Sequence, residues 1–354
     1  YDISTRWLRK LNMKITVVNK TQKGFTILEL LISVIVFLIA IAAIFGVLRI
    51  GAIQKNTTSN RTDQLRSARI ALEYIRRDTL NAGLGYHRTG GNVPDDFGYS
   101  LFGFPKDADS ERDLLVSIFA GNDLTNNILN PGKKMDMIGF VSRNQTFNGG
   151  NLVNFTSTNN TGDVVYVTTA NGGATNCSIN DLYIIESDSG TTQVIGMATA
   201  VSGNNKITLA KTDALKVNQS ATAAGENLNL LMTTSGSGSI KKIDLISYGI
   251  TADGVLVRKS FGNQGTAANQ IEQRELVYGV SDFQIKYFME DGTTVEDPSS
   301  NNNGRSNQIK MNSVVQVQIS ITVLPTEQPG QQAPVSPVTV KEFISTKNLR
   351  YEAS

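Results

Sequence analysis

Glu29 is the residue whose placement asks for chemistry: it is a carboxylate in an otherwise apolar run, FTILELLISVIVFLIAIAAIFGVL, from Phe25 to Leu48. An acid at the centre of a membrane helix costs about 2.5–3.5 kcal/mol on insertion scales, so it is read as functional. Enzyme chemistry does not supply the function. The chain has one histidine, His87, and one cysteine, Cys177, which leaves little material for Ser–His–Asp or Cys–His sites. No GxGxxG after a strand, GxxxxGK[ST], HExxH or GxSxG pattern occurs, and the chain is read as a non-enzyme without cofactor or metal. Cys177, in the loop sequence NGGATNCSIN, reads as a small unreactive residue and can form no intrachain disulfide; His87 is given no role. Gly236-Ser237-Gly238-Ser239 reads as a flexible loop. EDGTTVED, residues 290–297, lacks the alternating ligands of an EF-hand and reads as a solvated acidic hairpin tip.

The surroundings of Glu29 narrow what it could do. Phe25 to Leu48 holds 24 residues with only Thr26, Glu29 and Ser33 polar beyond glycine, enough to span about 30 Å of hydrocarbon. Lys14, Lys20 and Lys23 precede this run, while only Arg49 and Lys55 closely follow it. The positive-inside rule then places the N-terminus in the cytoplasm and the large C-terminal part outside. Six of the 33 Lys+Arg and one of the 31 Asp+Glu lie in residues 1–24, so the rest of the chain, at 27 against 30, is mildly acidic, about −3. A nucleic-acid-binding head would need a basic footprint, so none is expected.

An ordinary secretory signal has a shorter apolar core followed by an A-x-A-like cleavage site; here the run is too long and no such site closely follows it. Lys23-Gly24-Phe25-Thr26-Ile27-Leu28-Glu29 resembles instead the class III leader of type IV pilins and type II secretion pseudopilins. In that family a basic leader ends in Gly, Phe follows, and Glu sits at the fifth mature position. The resemblance implies cleavage between Gly24 and Phe25 by a membrane aspartyl prepilin peptidase, and N-methylation of Phe25. It also implies that Glu29 of one subunit pairs with the α-amino group of Phe25 on its neighbour. Charge pairing in low dielectric favours the correct axial stagger and penalises others, so the acid would encode register rather than catalyse. Residues 1–24 are therefore expected to be a leader. With Met13 as the start, the leader is MKITVVNKTQKG, and residues 1–12 are upstream sequence.

Other elements must carry this junction. No proline intervenes between Leu48 and Gly83, and Leu65, Ala68, Leu72 and Ile75 recur at helical spacing, with Arg66, Arg69, Glu73, Arg76, Arg77 and Asp78 mostly elsewhere. One helix over 25–82, about 87 Å long, is expected, membrane-spanning over 25–48 and ending at Gly83. Gly46, Gly51 and QKNTTSN (54–60) are weak helix formers at which a bend or loosening is expected.

Beyond Gly83 the period changes to two. Strands are expected at 114–119, 137–141, 163–169, 182–186, 193–198, 206–210, 243–250, 255–259, 282–288, 314–324 and 338–345. Val315, Val317, Ile319, Ile321 and Val323 are expected to share one face, and Asp253-Gly254 to turn a hairpin. Segments 145–160, 171–178, 290–312 and 325–337 read as surface loops. The fold class is α+β: a long N-terminal helix packed on an antiparallel β-rich extracytoplasmic head, residues 83–354.

ARIALEYIRRDTLNAGLGY, ISYGITADGVLVR, ELVYGVSDFQIKYFMEDG and a late strand before VKEFISTKNLR together resemble PilW-type minor pilins and the J-type pseudopilins. That resemblance implies an inner-membrane protein that helps initiate a type IV pilus at or near its tip. Its partners would be prepilin peptidase, other minor pilins and the major pilin, with contact to a tip adhesin left open. A type II secretion pseudopilin and a membrane-tethered binding protein are the alternatives. Residues 85–240 align to nothing specific, and their loops are long and Asn-rich.

Overall fold

The computed structural model describes residues 24–106, 110–170, 172–190, 192–223, 226–234, 236–264, 268–298, 308–325 and 336–350. The chain divides into two compact units at Asn56/Thr57. The first long helix, α1 (Ile27–Asn81), contributes to both. Gly46, Gly51 and residues 54–60 are helical. Each glycine costs only about 1 kcal/mol in a helix, and no proline breaks the ladder.

In the first unit the apolar residues of α1 are almost all exposed, from Ile27 at 86% to Ile50 at 58%. The 18-residue window of highest mean hydropathy, 3.1, has no buried residue. Nothing among the described residues covers this surface, which suits a lipid environment.

In the second unit α1 buries Gln64, Ala68, Ala71, Leu72, Ile75, Asp78 and Thr79. The expected stripe is there, with Leu65 only half-buried at its start and the acid Asp78 unexpectedly inside it. Gly83 takes the left-handed conformation expected of a helix stop (φ +76). Its amide, however, donates to Val141 O at 2.9 Å, so the chain is tied to the sheet as it leaves the helix.

The β elements follow in chain order: β1 (Gly91–Val93), β2 (Asp113–Leu115), β3 (Ile118–Asn126), β4 (Lys134–Arg143), β5 (Val153–Thr161), β6 (Val164–Thr169), β7 (Leu182–Ser187), β8 (Gln193–Met197), β9 (Ala200–Ser202) and β10 (Lys206–Ala210). After them come β11 (Gly238–Ile250), β12 (Leu256–Phe261), β13 (Ile271–Val277), β14 (Val280–Met289), β15 (Thr294–Val295), β16 (Val314–Val323) and β17 (Val338–Ser345). Two short helices, α2 (Phe97–Phe102) and α3 (Asn227–Thr234), were not expected. Pairing is antiparallel except for a single parallel contact of β1 with β8.

Strand β11 organises the larger, 13-stranded sheet. Its first residues lie between β7 and β5, and its later ones between β4 and β12. The β11–β12 hairpin closes at Asp253-Gly254 as expected, with Gly254 at φ +75 and its amide on Thr251 O at 2.9 Å. The second sheet runs β15-β14-β16-β17. The buried stripe of α1 shares one core with β14, β16 and parts of β4 and β11, through residues such as Leu72, Ile75, Phe283, Val317 and Ile319. A separate core joins β5, β6, β7, β8, β10 and α3.

Four sequence expectations change. The 145–160 loop contains β5: its TSTNNT stretch is polar because it is largely exposed, and it is held as a strand by its ladder to β6, while β11 pairs with Val153–Phe155 before it. The 114–119 strand is two, because β2 pairs with β1 while β3 pairs with β4. Gly238-Ser239 is strand, not flexible loop: a Cβ on Gly238 would lie 2.0 Å from Glu186 O, so glycine permits the close approach of β7. Val315 leaves the buried face to Val314, because a register shift between Phe288 and Met289 displaces it. Strand β13 also went unread, since its central EQRE is exposed. Most of the 325–337 loop lies outside the described residues.

One carboxylate ties the two sheets together. Asp136 on β4 is 3% exposed and accepts the amides of Asp123 at 3.1 Å and Ile285 on β14 at 2.7 Å. Burial outweighs these bonds and pushes its pKa from 3.8 up to about 6. The folded state therefore binds the proton more tightly than the unfolded one. Its contribution is fully present below pH 3.8 and is lost as pH rises through 6, worth about 2–3 kcal/mol. Urea midpoints measured across pH 4–7 should show this descending component in the native chain and lose it in Asp136→Ala.

Candidate functional site at the Gly24–Glu29 junction

Gly24, Phe25 and Thr26 are non-helical, and α1 begins at Ile27. The start is fixed by a reciprocal cap. The Glu29 amide donates to Thr26 Oγ1 at 3.2 Å, and the Thr26 amide donates back to Glu29 Oε2 at 3.0 Å. Thr26 Oγ1 also donates to Glu29 Oε2 at 3.1 Å. These contacts satisfy amides that a helix N-terminus otherwise leaves without partners. Ser33 Oγ donates to Glu29 O at 2.8 Å, so each polar residue of the run bonds within its own first turns.

Thr26 is thus the residue that sequence reading passed over. Its signal was present, since Thr-x-x-Glu before an apolar run is the capping-box pattern. The same carboxylate considered above for intersubunit register also serves the helix start.

Gly24 has no structural need to be glycine. A Cβ built there meets nothing within 4 Å, and its backbone is outside the left-handed region. Phe25 packs against nothing that would bury it. The two residues flanking the expected cut are therefore accessible and unconstrained by the fold.

The other residues singled out in the sequence are elsewhere and do not join this junction. Cys177 is buried, with its Sγ 3.9 Å from Gly173 O, and burial pushes its thiol up to about 11, which suppresses the reactive thiolate. His87 Nδ1 is 2.8 Å from Thr89 Oγ1. At the β14–β15 hairpin Asp291 Oδ1 accepts the Thr293 amide at 2.8 Å and its hydroxyl at 2.6 Å, holding the turn. No group of three or more His, Cys, Asp or Glu side chains among the described residues is placed to hold a metal ion.

A buried polar junction on the second unit is the other locus that sequence reading missed. Asp78 Oδ2 accepts the Tyr248 hydroxyl at 2.5 Å and Arg258 Nε at 2.8 Å, and Arg77 Nε reaches Oδ1 at 3.2 Å. Burial, with the Asp78 charge, raises the Tyr248 hydroxyl well above its ordinary 10 and keeps it a donor.

Among known proteins, the family model described as the prokaryotic N-terminal methylation motif matches residues 19–45. No curated protein and no solved structure matches the chain. The matched segment covers the Gly24–Phe25 junction, Glu29 and most of the exposed apolar run. A prepilin-type motif followed by a long apolar helix supports a type IV pilin-like or pseudopilin protein and fits a single-pass, membrane-anchored protein. Such a motif implies processing by a prepilin peptidase and assembly with other pilins.

Proposed function

We propose that the chain is a PilW-like minor pilin that is cut between Gly24 and Phe25, methylated at Phe25, and joined through α1 to other minor pilins and the major pilin. It acts in initiating a type IV pilus, at or near the tip, with its head extracytoplasmic and its N-terminus cytoplasmic before assembly. The observation that carries this reading is an accessible Gly24–Phe25 bond immediately before an uncovered apolar helix that retains Glu29. The late sequence blocks and the large β-rich head support the minor-pilin assignment over a repeated shaft subunit.

Cleavage frees an α-amino group on Phe25. In a neighbouring subunit that cation offers Glu29 a partner in low dielectric, and misregistered subunits leave a charge unpaired. Glu29→Ala is accordingly expected to be inserted and cut normally but to fail to enter the filament, as read by N-terminal mass spectrometry of the membrane fraction and immunoblotting of sheared filaments. A membrane-tethered binding protein would keep its function in that variant. Normal incorporation of the Ala variant would sink the register role. A type II secretion pseudopilin uses the same junction, and the genes neighbouring this one decide between the two machines.

A further inference from the structure

Residues 57–81 of α1 carry five arginines, Arg61, Arg66, Arg69, Arg76 and Arg77, and no lysine. Residues 82–354 carry 13 Lys and 7 Arg against 26 Asp+Glu, a net −6. Charge is therefore segregated along the chain. On the helix, Gln64, Ala68, Ala71, Leu72 and Ile75 are buried, while Arg66, Arg69, Ile70, Glu73 and Arg77 follow at i, i+3, i+4, i+7 and i+11 on the outward face. Arg76 and Arg77 are engaged, by Glu73 at 3.3 Å and by Asp78 at 3.2 Å. Arg66 and Arg69 are exposed and have no ion-pair or hydrogen-bond partner among the described residues. Ile70, 50% exposed, is their neighbour on that face.

Arginine without lysine, next to an exposed aliphatic side chain, is the composition of a protein interface, where lysine is depleted. The planar guanidinium also matches carboxylates two bonds at a time. Carboxylates are what the rest of this chain has in surplus. An exposed group of them lies at the β14–β15 hairpin, where Glu290, Asp291 and Glu296 fall within seven residues that contain no base. Glu296 is bonded to Lys286 in an ion pair.

We propose that the Arg66–Arg69 face docks on the acidic β14–β15 hairpin of a second copy of this chain. The two surfaces differ, so the contact is heterologous. This goes beyond the minor-pilin reading by placing copies of the chain side by side.

The test is self-association of the purified full chain in neutral detergent, followed by analytical ultracentrifugation at low and high ionic strength. Wild type should associate at low salt and separate at high salt. Arg66→Glu/Arg69→Glu and Glu290→Lys/Glu296→Lys should each weaken self-association about tenfold or more, and mixing the two variants should restore it. Association that ignores both reversals overturns the proposal. So does salt-sensitive association that requires phosphatidylglycerol nanodiscs and is indifferent to the hairpin reversal, which would assign the arginines to lipid. Cleavage at Gly24–Phe25 is measured in the same variants, and normal cutting there leaves the processing reading intact whatever the docking result.

Discussion

Gly24→Leu is expected to leave the precursor uncut, so that no chain beginning at Phe25 is recovered and none enters a filament. The fold gives this substitution no reason to fail. A Cβ at residue 24 meets nothing within 4 Å, and the backbone there is not one that excludes side chains. Helix α1 begins at Ile27 and is capped by Thr26 and Glu29, which the substitution does not touch. Circular dichroism and thermal melting of the solubilised variant should therefore match the native precursor. The glycine is required by what reads the junction: a protease that takes the chain as extended backbone, with no side chain in its way. Intact mass spectrometry of the membrane fraction decides the matter. Finding N-methylated Phe25 at the start of the Gly24→Leu chain would remove the basis for the leader assignment.

Asp78→Ala should be among the most destabilising single changes in the second unit, by about 3–5 kcal/mol, because it leaves Arg258 without its carboxylate in a mostly buried site. Arg258 is 19% exposed and Asp78 6%. Tyr248, with no exposed surface, would lose its acceptor as well. Asp78 lies on a helix while Tyr248 and Arg258 lie on paired strands of the larger sheet, at Tyr248↔Arg258. The network therefore anchors the end of α1 to the β11–β12 hairpin. Urea unfolding of the full chain in detergent measures the loss. Asp78→Leu combined with Arg258→Met should recover much of it, since a buried pair replaced by apolar groups of similar size is often neutral. A loss below about 1 kcal/mol in Asp78→Ala would mean that the pair behaves as a solvent-exposed one.

Asp78 also shows where sequence reading stopped. At i+3 from Ile75 and i+7 from Ala71 it lies on the apolar stripe, so periodicity pointed inward while its charge pointed outward. Its compensating partners are 170 and 180 residues away, and no local pattern announces them. Strand β5 failed for the same reason. Its second half reads as a polar loop until β6 is placed beside it. Cross-sheet ties such as Asp136 to the Ile285 amide, 149 residues apart, are equally silent.

The features legible in advance were those whose physics is local. Twenty-four nearly continuous apolar residues, the Gly24–Phe25 junction and the isolated Glu29 depend on composition and near neighbours, and the helix and most apolar strands follow from period alone. Tertiary structure decided which polar residues are interior, which strands pair through β11, and which face of α1 remains uncovered. Those outcomes rest on contacts between distant segments, whose energies exist only once the chain has closed around them.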